Sequence, residues 1–173
     1  MHLPARFHLT DLNMYMHDDQ HVIGAVVFLH LIYHGAVVDL TRITLAGFNF
    51  PLAEAFSNAP VEFRSDLQRR CRLHANEVSG IIEKGLLHGN AAFDEPFCAS
   101  VAMESAKIQI IYSATAENCP QSAETTRHNL KTNLRLLELL HAGKEGRSPY
   151  VSNSRVILDS RLSHCACFSA NGG

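Results

Sequence analysis

The chain has 173 residues, a formal net charge of −2 at pH 7, 46% hydrophobic residues and 18% charged residues. This length fits one domain that can bury a core, and the apolar fraction excludes a wholly disordered chain. The balanced charge excludes both a strongly basic chain that binds nucleic acid and a long acidic tail.

The cysteines and the amino-terminal residues indicate an intracellular protein. The five cysteines are odd in number and share no repeated spacing, whereas a secreted disulfide framework needs an even set. Residues 1–18, which we interpret as an N-terminal extension, lack the apolar run of a secretory signal. We therefore expect a reducing compartment, by default the cytoplasm.

The first predicted helix covers about residues 19–46. Apolar side chains recur every three or four positions and occupy nearly all sides of this helix, which predicts a central, buried position. Residues 20–38 contain no Asp, Glu, Lys or Arg and have the length of a membrane span. His21, His30 and His34 favour a buried helix, because imidazoles facing lipid cost free energy. A small membrane protein with a single span over residues 20–38 is the alternative.

Three further helices follow, each bounded by helix start or stop signals. The second covers about residues 65–88, with a Ser-x-x-Gln capping box that begins at Ser65 and with Gly89 as its stop. The third covers about residues 95–116 and begins with two acids and a proline. The fourth covers about residues 122–142 and carries a stripe of leucines.

The predicted fold is all-α: a bundle of about four main helices followed by a poorly structured C-terminal tail. Residues 19–146 form the helical domain, and residues 147–173 form an irregular tail in which the helical periodicity is lost. No internal repeat is present, and no stretch alternates with period two over a useful length, so the pattern does not support a sheet.

Two histidine pairs have the spacing of one helical turn, as metal ligands on one helix face often do. His17 with His21, and His30 with His34, can each hold Zn²⁺ when a further ligand comes from elsewhere in the fold. Neither pair belongs to a His-Glu-x-x-His motif, so helix packing or a polar link is favoured over a metal. A helical metal-binding protein or metalloenzyme that uses these pairs is a second alternative.

The densest group of soft metal ligands lies in the predicted tail. His164, Cys165 and Cys167 stand together there, but a structural zinc site usually uses two such groups, and the other cysteines fall in or beside predicted helices. We interpret Cys165 and Cys167 as reactive thiols. We therefore predict no metal site and no cofactor in this chain.

The motifs of several common enzyme classes are absent from the sequence. There is no Gly-x-Ser-x-Gly nucleophile elbow, no Gly-x-x-x-x-Gly-Lys-Ser/Thr phosphate loop and no Gly-x-Gly-x-x-Gly dinucleotide motif. The short basic run of Arg69, Arg70 and Arg72 shares its predicted helix with acidic residues, which favours a solvated face. We therefore expect a non-enzymatic protein that makes no direct contact with nucleic acid.

Four sequence patterns occur in the order found in a known family of helical domains. Residues 28–45 are similar to an LHLxYHxxxxLLxR helix, residues 71–82 to a CxxAAxxIxxLL helix and residues 129–141 to an NLxxxLxxLxxL helix. Residues 93–97 and the small apolar residues after them are similar to the element in between. Together the patterns resemble the fungal-specific transcription factor domain, the middle homology region of fungal zinc-cluster regulators.

The resemblance covers about residues 20–142, and the chain departs from the family pattern at several positions. Ile43 stands where the family has a proline after the arginine, and His74 and Asn76 interrupt the second pattern. The family's amino-terminal cluster of six zinc-binding cysteines has no counterpart, because no cysteine precedes Cys71. The chain resembles only the carboxy-terminal part of the regulatory domain, so we expect a fragment or a truncated regulator.

The resemblance implies a nuclear, non-enzymatic regulatory or interaction domain without the DNA-binding module. Its expected partners are other proteins, a small-molecule effector or further copies of the chain, held through apolar helix faces. The resemblance brings no catalytic residue, cofactor or membrane attachment to any position of this chain.

Overall fold

The computed structural model of the chain describes residues 20–45, 56, 58–115 and 120–142. Within these residues there are four α-helices and no strand, which confirms the predicted all-α bundle. The predicted N-terminal extension, residues 1–18, and the predicted tail, residues 147–173, lie outside the described residues. The helices are α1 (Gln20–Thr41), α2 (Val61–Leu86), α3 (Phe97–Thr115) and α4 (Pro120–Ala142), and short 3₁₀ helices follow α1 (Arg42–Thr44) and α2 (Asn90–Phe93).

The start of α2 differs from the start that the capping-box pattern predicts. The helix begins at Val61, directly after Pro60, whose φ of −51° and ψ of 142° turn the chain into the helix. The prediction of a cap at Ser65 was therefore wrong, since Ser65 lies inside the helix. Gln68, the other member of the pattern, donates a hydrogen bond from Nε2 to the carbonyl oxygen of Thr44 at 3.0 Å. It thus ties α2 to the 3₁₀ helix after α1.

The other helix ends lie close to the positions that the stop signals predict. Gly89 follows the end of α2 with a positive φ of 86°, a backbone conformation that residues with a Cβ rarely adopt. Pro96 directly precedes α3. Proline lacks a backbone N–H and is therefore found at the start of a helix and not in its interior. The first helix ends earlier than residue 46 because the chain tightens into a 3₁₀ helix after Thr41.

The hydrophobic core lies among the four helices and the 3₁₀ helix after α2. Phe93 is the largest fully buried side chain, at 1% exposure, and its ring lies directly over Gly85 of α2. Burial of apolar surface is the main favourable term in folding, so this contact sets the spacing of the helices. The core residues that surround Phe93 come from all four helices: Ile23, Val27, Leu31, Val78, Ile82, Val101, Ala102 and Leu136.

A further contact among α2, α3 and α4 is buried but polar. The Ser105 hydroxyl donates to the carbonyl oxygen of Ala75 at 3.0 Å and accepts a hydrogen bond from Asn133 Nδ2 at 3.0 Å. The Ser79 Oγ atom lies 3.3 Å from both Ser105 Oγ and Asn133 Oδ1. We call Ser79, Ser105 and Asn133 the buried polar layer. Because unpaired buried polar groups cost free energy, this layer favours one alignment of the three helices.

A second set of hydrogen bonds joins the same three helices one turn away. Asn76 Oδ1 accepts hydrogen bonds from Gln109 Nε2 and from Asn129 Nδ2, each at 3.0 Å. Gln109 and Asn129 are buried, so these bonds also form away from bulk water. The two sets together align α2, α3 and α4 over two successive turns.

The outer face of α1 is apolar and exposed, which corrects the prediction that this helix is buried on nearly all sides. Leu29 and Ile32 are each 39% exposed and Leu40 is 76% exposed. Ala25 and Ala36 are also exposed and lie on the same face, because positions three, four or seven apart align on a helix. The other helices cover only the opposite side of α1. We call Ala25, Leu29, Ile32, Ala36 and Leu40 the outer stripe.

One helical segment of the described chain, Val22–Thr44, is long and apolar enough to cross a membrane. It comprises most of α1 and the 3₁₀ helix after it, and 33% of its most apolar stretch is buried inside the protein. Core helices of soluble proteins pass the same test of length and composition. A single membrane span over residues 20–38 therefore stays a prediction.

Two glycines of α2 provide a matched test of the core packing. Gly85→Ala places a methyl group 2.5 Å from Phe93 Cζ, and we expect it to lower the free energy of unfolding. The expected loss is about 1–3 kcal/mol, the usual cost of overpacking. Gly80→Ala has no atom within 4 Å of the new Cβ, and we expect it to raise stability. The expected gain is about 0.5–1 kcal/mol, from helix propensity. Urea denaturation measures both changes, and equal effects would contradict the packing.

Candidate functional site

Three aromatic rings meet where α1 packs against α2, and they form the candidate functional site. His34 of α1 and His74 of α2 lie with their Nδ1 atoms 3.0 Å apart and their ring centroids 4.9 Å apart. The Tyr33 ring stands edge-on to both, with its centroid 5.0 Å from that of His34 and 5.9 Å from that of His74. We call Tyr33, His34 and His74 the ring cluster.

The contact between the two imidazoles depends on their protonation. In a hydrogen bond between two Nδ1 atoms, one nitrogen must carry the proton and the other must accept it. If both imidazoles are protonated, no acceptor remains and two positive charges stand side by side. The contact between His34 and His74 is therefore compatible with at most one positive charge.

The surroundings of the ring cluster favour the neutral imidazoles. Burial lowers the pKa of His34 from 6.5 to about 4, and the charges that His74 and His30 carry when protonated act in the same direction. Burial also lowers the pKa of His74, where Glu77 opposes the shift and Arg70 adds to it. At pH 7 the two imidazoles are therefore neutral and can share a hydrogen bond.

The structure gives His34 a partner that the sequence spacing did not indicate. His30 lies one turn before His34 on α1, as predicted, but the hydrogen bond of His34 crosses to His74 on α2. His21 lies in the first turn of α1, and its side chain is not among those described. The remaining predicted candidates lie outside the described residues: His17, Cys165 and Cys167.

Sequence reasoning missed His74 because its partner is distant along the chain. Forty residues separate His34 and His74. The one local signal is the position of His74 between the buried Cys71 and the buried Val78, which places it beside the packed face of α2. In the sequence this position interrupts the second family pattern.

The ring cluster offers two nitrogen donors to a metal ion. Zn²⁺ binds imidazole nitrogen at about 2.0–2.1 Å, so two Nδ1 atoms 3.0 Å apart can both reach one ion. Among the described residues, no group of three or more His, Cys, Asp or Glu side chains is placed to hold a metal ion. The cluster by itself therefore suits weak cation binding and not a structural zinc site, which uses four ligands.

A group of charged side chains joins the end of α1 to α3. Arg42 forms ion pairs with Glu104 of α3 and with Asp39 at 3.0 Å, and Lys107 Nζ lies 2.7 Å from Glu104. A cleft of about 40 Å³ opens beside Glu104. Pockets for small molecules usually enclose about 300 Å³ or more, so this cleft is too small for the expected effector.

The buried thiols and phenol of the core stay protonated at neutral pH and are therefore unreactive. Burial raises the pKa of Cys71 and of Cys98 to about 11, and both cysteines are free. Because the thiolate is the nucleophile, these thiols act as small core residues at neutral pH. Burial also raises the pKa of Tyr112 to about 12, and its hydroxyl donates to the carbonyl oxygen of Gln68. These three groups therefore add no acid, base or nucleophile.

The basic run of α2 is partly neutralised by one carboxylate. Arg69 and Arg70 contact the two carboxylate oxygens of Asp66 at 2.6 and 2.7 Å. The guanidinium of Arg72 lies 5.2 Å from the centre of the Tyr112 ring, within the range of a cation–π contact. The run therefore presents less free positive charge to a phosphate backbone than its sequence indicates.

Comparisons with models of known families, with curated proteins and with solved structures found no match for this chain. The resemblance to the fungal-specific transcription factor domain therefore stays a prediction, and so does the nuclear location. The all-α fold is shown by the structure itself.

The ring cluster predicts that the protein loses stability in mild acid. The pKa of His34 in the folded state, about 4, lies below its ordinary value of 6.5, so the unfolded chain takes up the proton more readily. The neutral pair contributes fully to the free energy of unfolding above about pH 6.5. This contribution declines by on the order of 2 kcal/mol as the pH falls towards 4. Urea denaturation at a series of pH values across this range measures the decline.

Two histidine variants test the assignment of this decline to the ring cluster. His34→Gln removes the titrating imidazole but keeps a polar side chain, and we expect a smaller decline in this variant. In His128→Gln we expect the full decline, because the His128 imidazole lies at an exposed contact with Glu83. The same decline in both variants would contradict the assignment.

Proposed function

We propose that the chain is a non-enzymatic regulatory or interaction domain, of the kind found in the middle homology region of fungal zinc-cluster regulators. In this role it acts in the nucleus through other proteins or a small effector, without touching DNA itself. One observation carries the proposal: many positions that carry the family resemblance are positions that hold the four helices together.

The second family pattern supports the proposal most directly. Cys71, Ala75, Val78 and Ile82 carry this pattern, and each of them is 0% exposed. All four lie on the face of α2 that meets the other helices. Matching residues of this kind are typical of a structural scaffold, whereas matching residues of an enzyme family concentrate in a cleft.

The first and the last family patterns also lie at contacts between helices. Arg42, the arginine of the first pattern, forms an ion pair with Glu104 and so attaches the end of α1 to α3. Asn129, which begins the last pattern, donates a hydrogen bond to Asn76 at 3.0 Å and joins α4 to α2. Leu140, near the end of that pattern, packs against the core. These contacts support a helical scaffold whose outer surfaces remain available for partners.

A reporter experiment tests the regulatory role. The full chain is fused to an unrelated DNA-binding domain, and we expect a several-fold change in transcription of a reporter relative to the DNA-binding domain alone. The proposal requires a folded chain, so Ile82→Asp, which buries a charge at a position with 0% exposure, should abolish the effect.

The matched control for this experiment is Leu87→Asp. Leu87 directly follows α2 and is 81% exposed, so the same new charge should leave both the fold and the reporter effect intact. A reporter that does not respond to a folded, nuclear fusion would contradict the regulatory role.

We propose binding of a divalent transition-metal ion at the ring cluster as a second candidate function. The supporting observation is the 3.0 Å separation of the Nδ1 atoms of His34 and His74. A bound ion would take the place of the proton that the two nitrogens share, and water would complete its coordination. The two nitrogens come from different helices and already lie 3.0 Å apart, which favours this site over either predicted pair on a single helix.

Calorimetric titration of the full chain with zinc chloride tests this second function. We expect weak binding of one ion that is lost in His74→Ala, because one of the two donors is removed. His128→Ala is the control, since its imidazole lies at the separate contact with Glu83. Binding that is equal in the wild type and in both variants would contradict a site at the ring cluster.

A further inference from the structure

The exposed face of α1 is unusual for a protein surface. Over residues 22–41 of this helix, whose side chains the structure describes, six residues are exposed, and five of them are the apolar residues of the outer stripe. The sixth is Asp39, close to the carboxyl end of the helix. Surface helices of soluble domains normally present charged and polar side chains on this side. A continuous apolar face of this kind marks a contact surface.

We propose that the outer stripe packs against the outer stripe of a second copy of this chain, with the two α1 helices antiparallel. The two-fold axis of this dimer passes between the positions of Ile32 and Tyr33, at the centre of the outer stripe. Both copies then use the same surface, so the interface is two-fold symmetric and both outer stripes are covered.

The order of large and small residues along the stripe supports the antiparallel arrangement. Leu29 and Ala36 lie at equal distances along the helix from the point between Ile32 and Tyr33, and so do Ala25 and Leu40. In the antiparallel pair each leucine is therefore level with an alanine of the second copy. Facing positions that alternate large and small side chains interdigitate and leave no void.

The charge on this face also supports the antiparallel arrangement. In a parallel pair the two Asp39 carboxylates would stand level with each other and repel. In the antiparallel pair each Asp39 lies level with Val26 of the other copy, so the two carboxylates are far apart. Asp39 also keeps its ion pair with Arg42, at 3.0 Å, so the pairing leaves no unpartnered charge.

The length of α1 limits the affinity that we expect for the dimer. A helix of 22 residues is about 33 Å long and brings five stripe residues from each copy into the contact. Stable interfaces use about 20–30 residues on each side, so one helix pair forms a dimer that dissociates on dilution. We expect a monomer–dimer equilibrium in the micromolar range of concentration.

This inference depends only on the packing of α1 and not on the proposed regulatory role. A folded dimer that fails in the reporter experiment would contradict the regulatory role alone. A monomer that regulates transcription would contradict the dimer alone.

Sedimentation velocity of the full chain over a range of concentrations tests the dimer. We expect Ile32→Glu to raise the dimer dissociation constant at least tenfold, because the two new carboxylates meet near the two-fold axis. Leu87→Glu is the matched control, since Leu87 is 81% exposed but lies off the stripe, and we expect it to dimerise like the wild type. Circular dichroism of each variant verifies that the helices are retained.

A pair of charge substitutions tests the direction of packing. We expect Leu29→Glu and Ala36→Lys each to weaken the dimer. The double variant should regain it, because each new carboxylate lies level with a new ammonium of the other copy. In a parallel pair the double variant would place like charges together and would stay monomeric. A double variant that remains monomeric while each single variant is folded would overturn the antiparallel arrangement.

The remaining outcomes identify a different occupant of the stripe. A wild-type chain that stays monomeric at all concentrations would overturn the dimer. If that monomer floats with phosphatidylcholine vesicles and Ile32→Glu does not, the stripe binds lipid. If the monomer binds no vesicles, the stripe is covered by other residues of this chain or by another protein. Dimerisation that Ile32→Glu and Leu87→Glu weaken equally would place the contact elsewhere and would also overturn the proposal.

Discussion

The buried polar layer of Ser79, Ser105 and Asn133 constrains the alignment of the helices. Each of these side chains is withdrawn from water, and each has a hydrogen-bonding partner on a neighbouring helix. Ser79 also donates to the carbonyl oxygen of Ala75 on its own helix, at 3.2 Å. A shift of α2 along its axis would separate these partners and cost about 1–3 kcal/mol for every group left unpaired. Apolar contacts alone tolerate such shifts more easily, because they have no direction. The alignment of α2 therefore follows from its polar residues.

The position of the ring cluster is a consequence of this alignment. Ser79 faces α3 and α4, and His74 lies on the side of α2 that faces α1. Once Ser79 is paired, the height of His74 along α2 is set, and the His34 ring meets it from α1. Gln68 and Arg42 hold the carboxyl end of α1, through the carbonyl oxygen of Thr44 and through Glu104. The inner side of α1 is thus held by its apolar residues, by two imidazoles and by an ion pair.

The two sides of α1 have different physical roles. Its inner side makes contacts that respond to protonation, because a neutral imidazole pair stands between α1 and α2. Its outer side carries exposed apolar residues, and any apolar surface that covers them lowers the free energy by removing them from water. A helix held firmly on one side and open on the other is a suitable element for a domain that acts by contact, and this is the kind of action that we propose for the chain.

The sequence by itself determined that the protein is helical and where most of its helices end. Apolar spacing of three and four, Gly89 and Pro96 are local signals, and local signals decide helix formation because each backbone hydrogen bond spans only four residues. The same local reasoning misplaced the start of α2, since Ser65 and Gln68 match a capping box wherever they occur, whereas Pro60 and the contact with Thr44 decide the start. The tertiary structure alone decided that His34 meets His74 and that the other described helices leave one side of α1 uncovered. Periodicity shows which residues share a face, but the neighbours of that face come from distant parts of the chain, and their arrangement depends on packing and on the pairing of buried polar groups.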